Sequence, residues 1–162
     1  MNYGHFLYKK VFYLLLIGLM SALLSNCSST PKSTYRAHSP ASHQKIIAVA
    51  KAQIGKPYRY GGKSPRTGFD CSGLINFSYK KAGLVIPRTT SQLYNSSSPI
   101  KRAHLQRGDL VFFRINRRKV SHVGLYLGNS KFVHAPSSGK RVNIANINDK
   151  YWRARFVRGG RI

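Results

Sequence analysis

The chain has 162 residues, which is enough for one domain of ordinary size. It carries 28 Lys and Arg residues against three acidic residues, so its formal net charge is +25 at pH 7. This charge favours anionic partners such as nucleic acid, phosphorylated lipid headgroups, teichoic acids or peptide carboxylates, although a generally solvated basic surface explains it equally well. No glycine-rich phosphate loop, dinucleotide fingerprint or kinase signature occurs, which excludes the nucleotide-dependent classes that those motifs mark.

Residues 1–26 have the pattern of an export signal rather than of a folded element. Lys9 and Lys10 form a positive n-region, and the apolar run Val11–Leu24 is too short for a comfortable membrane span. The small-residue stretch that ends at Cys27 resembles a bacterial lipobox, in which the cysteine is acylated and becomes the mature N-terminus. An uncleaved signal anchor or a plain secretory peptide is the alternative. With a lipoprotein signal, a signal anchor or a secretory peptide, the domain is exported from the cytoplasm. Nucleic acid is therefore the least expected partner.

Cys27 and Cys71 are the two cysteines of the chain. If Cys27 carries lipid, Cys71 has no disulfide partner, and a free thiol in an oxidising compartment is a liability unless its chemistry is needed. The alternative role for Cys71 is that of a small buried hydrophobic residue. Residues 27–42 are rich in Ser, Thr and Pro without periodic apolar positions, so we predict a lipidated, disordered tether. The folded domain is then predicted to span 43–162.

Helices are predicted in the first half of this domain. The first is indicated by apolar residues at helical spacing: Ile46, Ile47, Ala50 and Ile54. The glycine-rich stretch 58–69 is predicted to be a loop. A second helix is predicted to start at Cys71 and to end at Gly83, with an inner side formed by Leu74, Ile75, Tyr79 and Ala82. Thr89 is the predicted cap of a short third helix.

The second half of the domain changes to the patterns of β-strands. Five strands are predicted: Asp109–Ile115, His122–Leu127, Lys131–Ala135, Arg141–Ile147 and Phe156–Val157. One helical turn is expected within 148–155. Helices followed by a run of antiparallel strands predict an α+β domain.

The chemistry of the chain centres on Cys71, which lies where a loop leads into a helix. A helix N-terminus lowers the pKa of a thiol, and a nearby imidazole can accept its proton. His122 and His134 lie far downstream, in predicted strands, and a lone cysteine with distant histidines is a recognised nucleophile pattern. The neighbouring Asp70 carboxylate opposes thiolate formation, so the imidazolium, the helix terminus and the positive field must outweigh it. We therefore predict a cysteine peptidase with a thiol of lowered pKa.

The histidine pair makes a prediction about strand register. If the turn between the two strands has an odd number of residues centred on Gly128, His122 lies opposite His134 and both rings project from one face. A two-residue turn would instead place His134 against Leu125, on the other face. We predict the odd turn.

Six segments together resemble the NlpC family of cell-wall cysteine peptidases, whose members have a compact papain-like fold. They occur in the family's order and cover roughly residues 44–162. The segments are Gly55–Gly62, Phe69–Ile75, Ile86–Gln92, Arg107–Phe113, Ser121–Leu127 and Phe132–Ala135. The resemblance implies N-terminal helices packed on a mostly antiparallel β-sheet.

The resemblance also implies roles for single residues. Cys71 is the expected nucleophile, His122 the general base and later the acid, and His134 the polar residue that orients the His122 ring. The Cys71 amide and the Tyr58 hydroxyl are expected to hold the oxyanion, although Tyr58 packing in the fold is an equal alternative.

Three further residues are candidates for substrate binding. Asp70 and Ser72 resemble positions that in some family members contact a free amine of the wall peptide. Arg88 is a candidate for binding a substrate carboxylate, and a solvated surface position is its alternative. No cofactor or metal is expected, because a zinc site built from Cys71 and the two histidines would lack a fourth ligand.

The predicted function is a lipoprotein peptidoglycan hydrolase that cuts an amide in the stem or cross-link peptide. The candidate bonds are D-glutamyl to diamino acid and D-alanyl to diamino acid. Expected partners are the wall peptide and the membrane, through lipid on Cys27; we expect a monomer in the bacterial envelope, on the outer membrane facing the periplasm if the cell is diderm. The alternatives are a non-catalytic cationic wall-binding lipoprotein and an acyltransferase on the same fold.

Overall fold

The computed structural model describes residues 40–115 and 119–162. The predicted signal segment, Cys27 and the tether as far as residue 39 lie outside the described residues. Within the described ranges, helices come first and an antiparallel sheet follows, so the predicted α+β class is confirmed. No helix in these ranges is long and apolar enough to cross a lipid bilayer.

The first helix, α1, spans Pro40–Lys51 and so begins before the predicted start of the domain. Ile46, Ile47 and Ala50 are buried, as their helical spacing predicts. Ile54 is 45% exposed, so its prediction as a fourth buried position was wrong. It lies beyond the end of α1, where helical spacing no longer decides which face a side chain takes.

A short hairpin leads into the second helix. Strand β1 (Lys63–Ser64) pairs with β2 (Gly68–Phe69) within the stretch that the sequence predicts to be a loop. Helix α2 spans Cys71–Lys81, so its predicted start at Cys71 is confirmed. Asp70 caps this helix by accepting a hydrogen bond from the Gly73 amide.

Helix α3 spans Thr90–Ser96, and its start is also as predicted. The Thr89 hydroxyl accepts a hydrogen bond from the Gln92 amide, and the Gln92 side chain accepts one from the Thr89 amide. This capping box fixes the first turn of α3.

The rest of the domain is a six-stranded antiparallel sheet with the order β3-β8-β4-β5-β6-β7. The strands are β3 (Ser98–Ile100), β4 (Leu110–Phe113), β5 (His122–Gly128), β6 (Lys131–His134), β7 (Asn143–Asn146) and β8 (Phe156–Arg161). A 3₁₀ turn (Arg102–His104) follows β3, and a short helix α4 (Lys150–Arg153) precedes β8.

Two features of this sheet differ from the sequence prediction. Strand β3 was not predicted, and β8 is longer than the predicted two residues because it pairs with β3 on one side and β4 on the other. A side chain at Gly159 would collide with Leu105 and crowd Ile100, and one at Gly160 would collide with Ser97, so glycine permits this close pairing. These contacts are long-range and leave no periodic pattern in the local sequence.

The two faces of the sheet carry different parts of the site. Helices α1 and α2 pack on one face, over a core that includes Val123 and Val133. On the other face, Phe113 and Phe132 pack against Trp152 of α4, and the two histidine rings lie among these aromatic rings. The N-terminus of α2 and the first residue of β5 meet at one end of the sheet.

Candidate active site

Cys71 is the first residue of α2, and its thiol is free and partly exposed. Its Sγ lies 3.5 Å from the hydroxyl oxygen of Thr90, which begins α3. Gly73 permits the loop before Cys71 to close on the helix, because a side chain there would collide with the Gly62 carbonyl oxygen. The thiol therefore lies at the N-terminus of α2 and next to the N-terminus of α3.

Asp70, Ser72 and Arg88 form one group beside Cys71. The Arg88 guanidinium donates to both Asp70 carboxylate oxygens, at 3.1 and 2.9 Å, and to the Ser72 hydroxyl at 2.9 Å. It also donates to the Gly62 carbonyl at 3.3 Å. The positive charge of Arg88 thus offsets the carboxylate that the sequence places next to the thiol, while substrate contacts by these three side chains stay a prediction.

The two predicted histidines are brought together. His122 Nε2 lies 2.9 Å from His134 Nδ1, and both side chains are buried, at 3% and 1% exposure. The Trp152 ring stacks on His122 with centroids 5.5 Å apart and meets His134 edge-on at 4.8 Å. Aromatic rings therefore set the orientation of both imidazoles.

The register between β5 and β6 confirms part of the prediction about these rings. Leu125 pairs with Val133 and Tyr126 with Phe132, so the two histidines share a face as predicted. The predicted odd turn was wrong, because Gly128 pairs with Lys131 and the turn has two residues, Asn129 and Ser130. His122 and His134 do not lie directly opposite each other, which corrects the predicted alignment. The one-residue bulge between Tyr126 and Gly128 returns both rings to one face, and His134 lies across from Gly124, two residues from His122.

Gly124 explains how the rings still meet. A side chain at this position would collide with the Phe132 ring. Because glycine leaves the space open, the Phe132 ring lies over Gly124 of the neighbouring strand and 4.9 Å from the His134 ring on its own strand. The hydrogen bond to His122 then runs diagonally along the face of the sheet.

Burial controls the charge states of the three groups. It lowers the pKa of His122 to about 3, with a further lowering from the neighbouring His134. It lowers the pKa of His134 to about 4, where a hydrogen bond with the Asn143 side chain acts in the opposite direction and the Lys140 charge adds to the lowering.

Burial likewise raises the pKa of the Cys71 thiol, against the lowering effect of its hydrogen bond with Thr90. The sequence prediction of a lowered thiol pKa was therefore wrong for the resting site, because it weighed the helix terminus and the imidazole but not the loss of solvent. The Cys71 thiol and the His122 imidazole, which line one cleft, are therefore both neutral in the resting site.

Tyr58 is positioned beside the thiol by its backbone. The segment 57–59 hydrogen-bonds to Phe69, the residue that precedes the Asp70 cap. Partial burial and the nearby Cys71 and Asp70 charges raise the pKa of the Tyr58 phenol. Its hydroxyl is consequently a neutral hydrogen-bond donor, which suits the predicted oxyanion role without testing it.

A cleft of about 220 Å³ joins these groups at the end of the sheet. It is lined by Tyr58, Cys71, Ile115, Ser121, His122 and Pro136. A larger groove of about 690 Å³ passes His43, Arg107 and Arg161, and it contains none of the predicted site residues. The smaller cleft is therefore the candidate active site.

Comparison with known proteins agrees with this arrangement. Residues 55–161 match the model of the NlpC/P60 family. The chain belongs to the NlpC/P60 family.

Two relatives and one solved structure are similar to this NlpC/P60 domain. "Murein DD-endopeptidase MepH" of Escherichia coli is 47% identical over 74% of this chain and 47% of its own length. "Probable endopeptidase NlpC homolog" of Haemophilus influenzae is 35% identical over 80% of this chain and 68% of its own length. A Staphylococcus aureus protein described as similar to lipoprotein, NLP/P60 family, has a crystal structure that matches with a TM-score of 0.71 at 33% identity, over 80% of this chain and 44% of that one. The chain spans about half the length of the E. coli relative.

Three residues of the NlpC/P60 domain lie at the site without having been predicted there. Thr90 contacts the thiol, Trp152 contacts both imidazoles and Asn143 pairs with His134 across β6 and β7. Trp152 is the one tryptophan of the chain, but its sequence position gave no signal of contact with residues 18 or more positions away. Within 40–115 and 119–162, no group of three or more His, Cys, Asp or Glu side chains is arranged to hold a metal ion.

Proposed function

We propose that this protein is a peptidoglycan hydrolase that cleaves an amide bond of wall peptides with Cys71 as nucleophile. The observation that carries the proposal is that Cys71 and His122 line the same cleft, while His122 is hydrogen-bonded to His134. Membership of the NlpC/P60 family and the names of the relatives supply the substrate class.

The proposed reaction moves one proton between sulfur and imidazole. As Sγ of Cys71 attacks the carbonyl carbon, its proton passes to Nδ1 of His122, since Nε2 already bonds His134. The tetrahedral intermediate collapses to a thioester, and the departing amine takes the proton from His122. Water then hydrolyses the thioester with His122 again as base, which restores the thiol.

Two neutral donors are proposed for the oxyanion. These are the Cys71 backbone N–H and the Tyr58 hydroxyl, and each such donor is worth roughly 3–4 kcal/mol in a transition state. Asp70 and Ser72, with Arg88 held between them, are proposed to bind polar groups of the stem peptide next to the scissile bond. The Asp70–Arg88 pair keeps their orientation in the free enzyme.

The D-alanyl to diamino acid cross-link is the bond to test first. The E. coli relative at 47% identity is named as a DD-endopeptidase, which supports this bond over the D-glutamyl to diamino acid bond. We further propose that lipid on Cys27 anchors the enzyme in the bacterial envelope and that residues 28–39 link it to the domain. The formal charge of +25 would hold the enzyme near anionic wall polymers.

Digestion of purified peptidoglycan, followed by muropeptide analysis, tests the proposal. The protein should convert cross-linked dimers to monomers, Cys71→Ala should release none, and Cys27→Ser, which removes the other thiol, should retain full cleavage in solution. Absence of new fragments from the unaltered protein would contradict hydrolysis. Binding without cleavage would favour a wall-binding module, and products joined to an added amine would favour acyl transfer.

A further inference from the structure

Asn143 occupies a defined place behind the histidine pair. Strand β7 pairs with β6 so that Asn143 lies directly across from His134, which puts both side chains on one face of the sheet. The Asn143 Nδ2 group donates to the Arg141 carbonyl oxygen at 3.0 Å. That donation uses the amide nitrogen, and the hydrogen bond between Asn143 and His134 raises the pKa of the ring, as expected when the ring donates to the amide oxygen.

We propose that Asn143 is a positioning residue that fixes the tautomer of both histidines and so leaves a bare nitrogen on His122 for the Cys71 proton. The inference rests on the proposed function, because it assigns the protons of the same site. It adds a fourth residue to the predicted triad and requires no contact between Asn143 and substrate.

Proton counting leads from Asn143 to His122. An amide oxygen only accepts, so a hydrogen bond from His134 must come from its Nε2–H. A neutral imidazole carries one N–H, which leaves Nδ1 of His134 as an acceptor. That nitrogen lies 2.9 Å from Nε2 of His122, so the His122 proton sits on Nε2. Nδ1 of His122 is then free to act as base.

The opposite arrangement would disable the base. If His134 carried its proton on Nδ1, it would donate to His122 Nε2, and the His122 proton would move to Nδ1. His122 could then accept nothing from Cys71. Burial keeps both rings neutral, with pKa values lowered to about 3 and 4, so the tautomer rather than the charge decides whether the base is available. The hydrogen bond to Asn143 is the contact that selects the productive tautomer.

Nuclear magnetic resonance of ¹⁵N-histidine-labelled protein tests the inference without reference to activity. Long-range ¹H–¹⁵N correlations should show His122 and His134 of the unaltered protein both as Nε2–H tautomers. In Asn143→Ala, His134 should populate the Nδ1–H form. In Asn143→Asp, which keeps an oxygen acceptor, both rings should stay Nε2–H. Asn146→Ala, an amide removed from the same strand away from the histidines, is the matched control.

The rate of peptidoglycan cleavage should change in the same variants as the histidine tautomers. Asn143→Ala should lower kcat by about 10-fold or more with little change in KM, as expected for loss of an orienting partner, and Asn143→Asp should recover most of that loss. A His134 Nδ1–H tautomer in the unaltered protein would overturn the inference, even if Asn143→Ala fails to fold. Unchanged tautomers and an unchanged kcat in a folded Asn143→Ala variant would also overturn the inference about Asn143. That result would not contradict the proposed hydrolase activity. Correct tautomers in a protein that cleaves nothing would contradict the proposed function alone.

Discussion

The two halves of the site are held in place by different kinds of interaction. Around Cys71 the supports are polar: the Asp70 cap, the Arg88 guanidinium and the Thr90 hydroxyl. Around His122 and His134 they are aromatic rings, with one hydrogen bond between the imidazoles. The proposed nucleophile thus has charged neighbours that solvent and salt can reach, whereas its proposed base lies among apolar rings that exclude them. The two halves of the site are therefore expected to respond differently to pH, to truncation of their side chains and to salt.

The histidine half should make the protein sensitive to acid, and this is the largest expected effect. Because folding lowers the pKa of both imidazoles, the unfolded chain binds more protons below about pH 6.5, so stability present above that pH is lost as the pH falls toward 4 to 3. Each imidazole contributes a slope of at most about 1.4 kcal/mol per pH unit while it titrates. Denaturant unfolding at several pH values between 7 and 4.5 measures the slope.

The chain favours this measurement because it has only three carboxylates, so little else takes up protons in that range. His122→Gln, which removes one titrating ring, should flatten the curve, whereas the exposed His104→Gln should not. An unfolding free energy that stays constant from pH 7 to 4.5 would contradict the burial of neutral imidazoles.

Removal of the indole tests the aromatic support directly. Trp152→Ala should lower the unfolding free energy by about 2–3 kcal/mol, less than a full core truncation because the ring is only partly buried. Water admitted to His122 should raise the pKa of that ring, so the acid limb of kcat/KM should move to higher pH. Tyr151→Ala changes the adjacent, more exposed ring, which contacts Trp152 but neither histidine, and should leave the limb in place. An unmoved limb in Trp152→Ala would show that the indole does not exclude solvent.

Substitutions among the charged residues around Cys71 should have the smallest effect. Arg88→Ala leaves Asp70 capping α2, so the unfolding free energy should fall by only about 1 kcal/mol, since the Arg88 side chain is 34% exposed. The uncompensated carboxylate should also oppose thiolate formation at Cys71, and high salt should diminish that effect. Thiol alkylation with and without 1 M salt compares Arg88→Ala with Arg66→Ala, an exposed control. Equal alkylation rates in both variants would rule out the proposed charge balance.

The difference between local polar caps near Cys71 and long-range packing near the histidines also explains which features the sequence could predict. The starts of α2 and α3 depend on caps a few residues away, so Asp70 and Thr89 could be read from local order. The shared face of the histidines was predicted from an odd turn, whereas the structure has a two-residue turn and reaches the same face through the bulge after Tyr126. A bulge has no simple residue pattern.

The features that the sequence did not predict depend on long-range packing. Strand β3, Trp152 and Asn143 reach the sheet or the histidines through pairings across many residues, which no local period records. The direction of the thiol pKa shift depends on burial, and burial is a property of the folded domain. The family resemblance supplied the residues of the site, and the structure corrected their charge states.

The pH dependence of Cys71 alkylation by iodoacetamide most directly tests the claim that a neutral thiol rests beside a neutral imidazole. In a Cys27→Ser background, the rate should rise only above the ordinary thiol pKa of about 8.5–9, with the same profile in His122→Ala. A plateau of fast alkylation that extends below pH 7 and disappears in His122→Ala would reveal a thiolate–imidazolium pair and contradict the account.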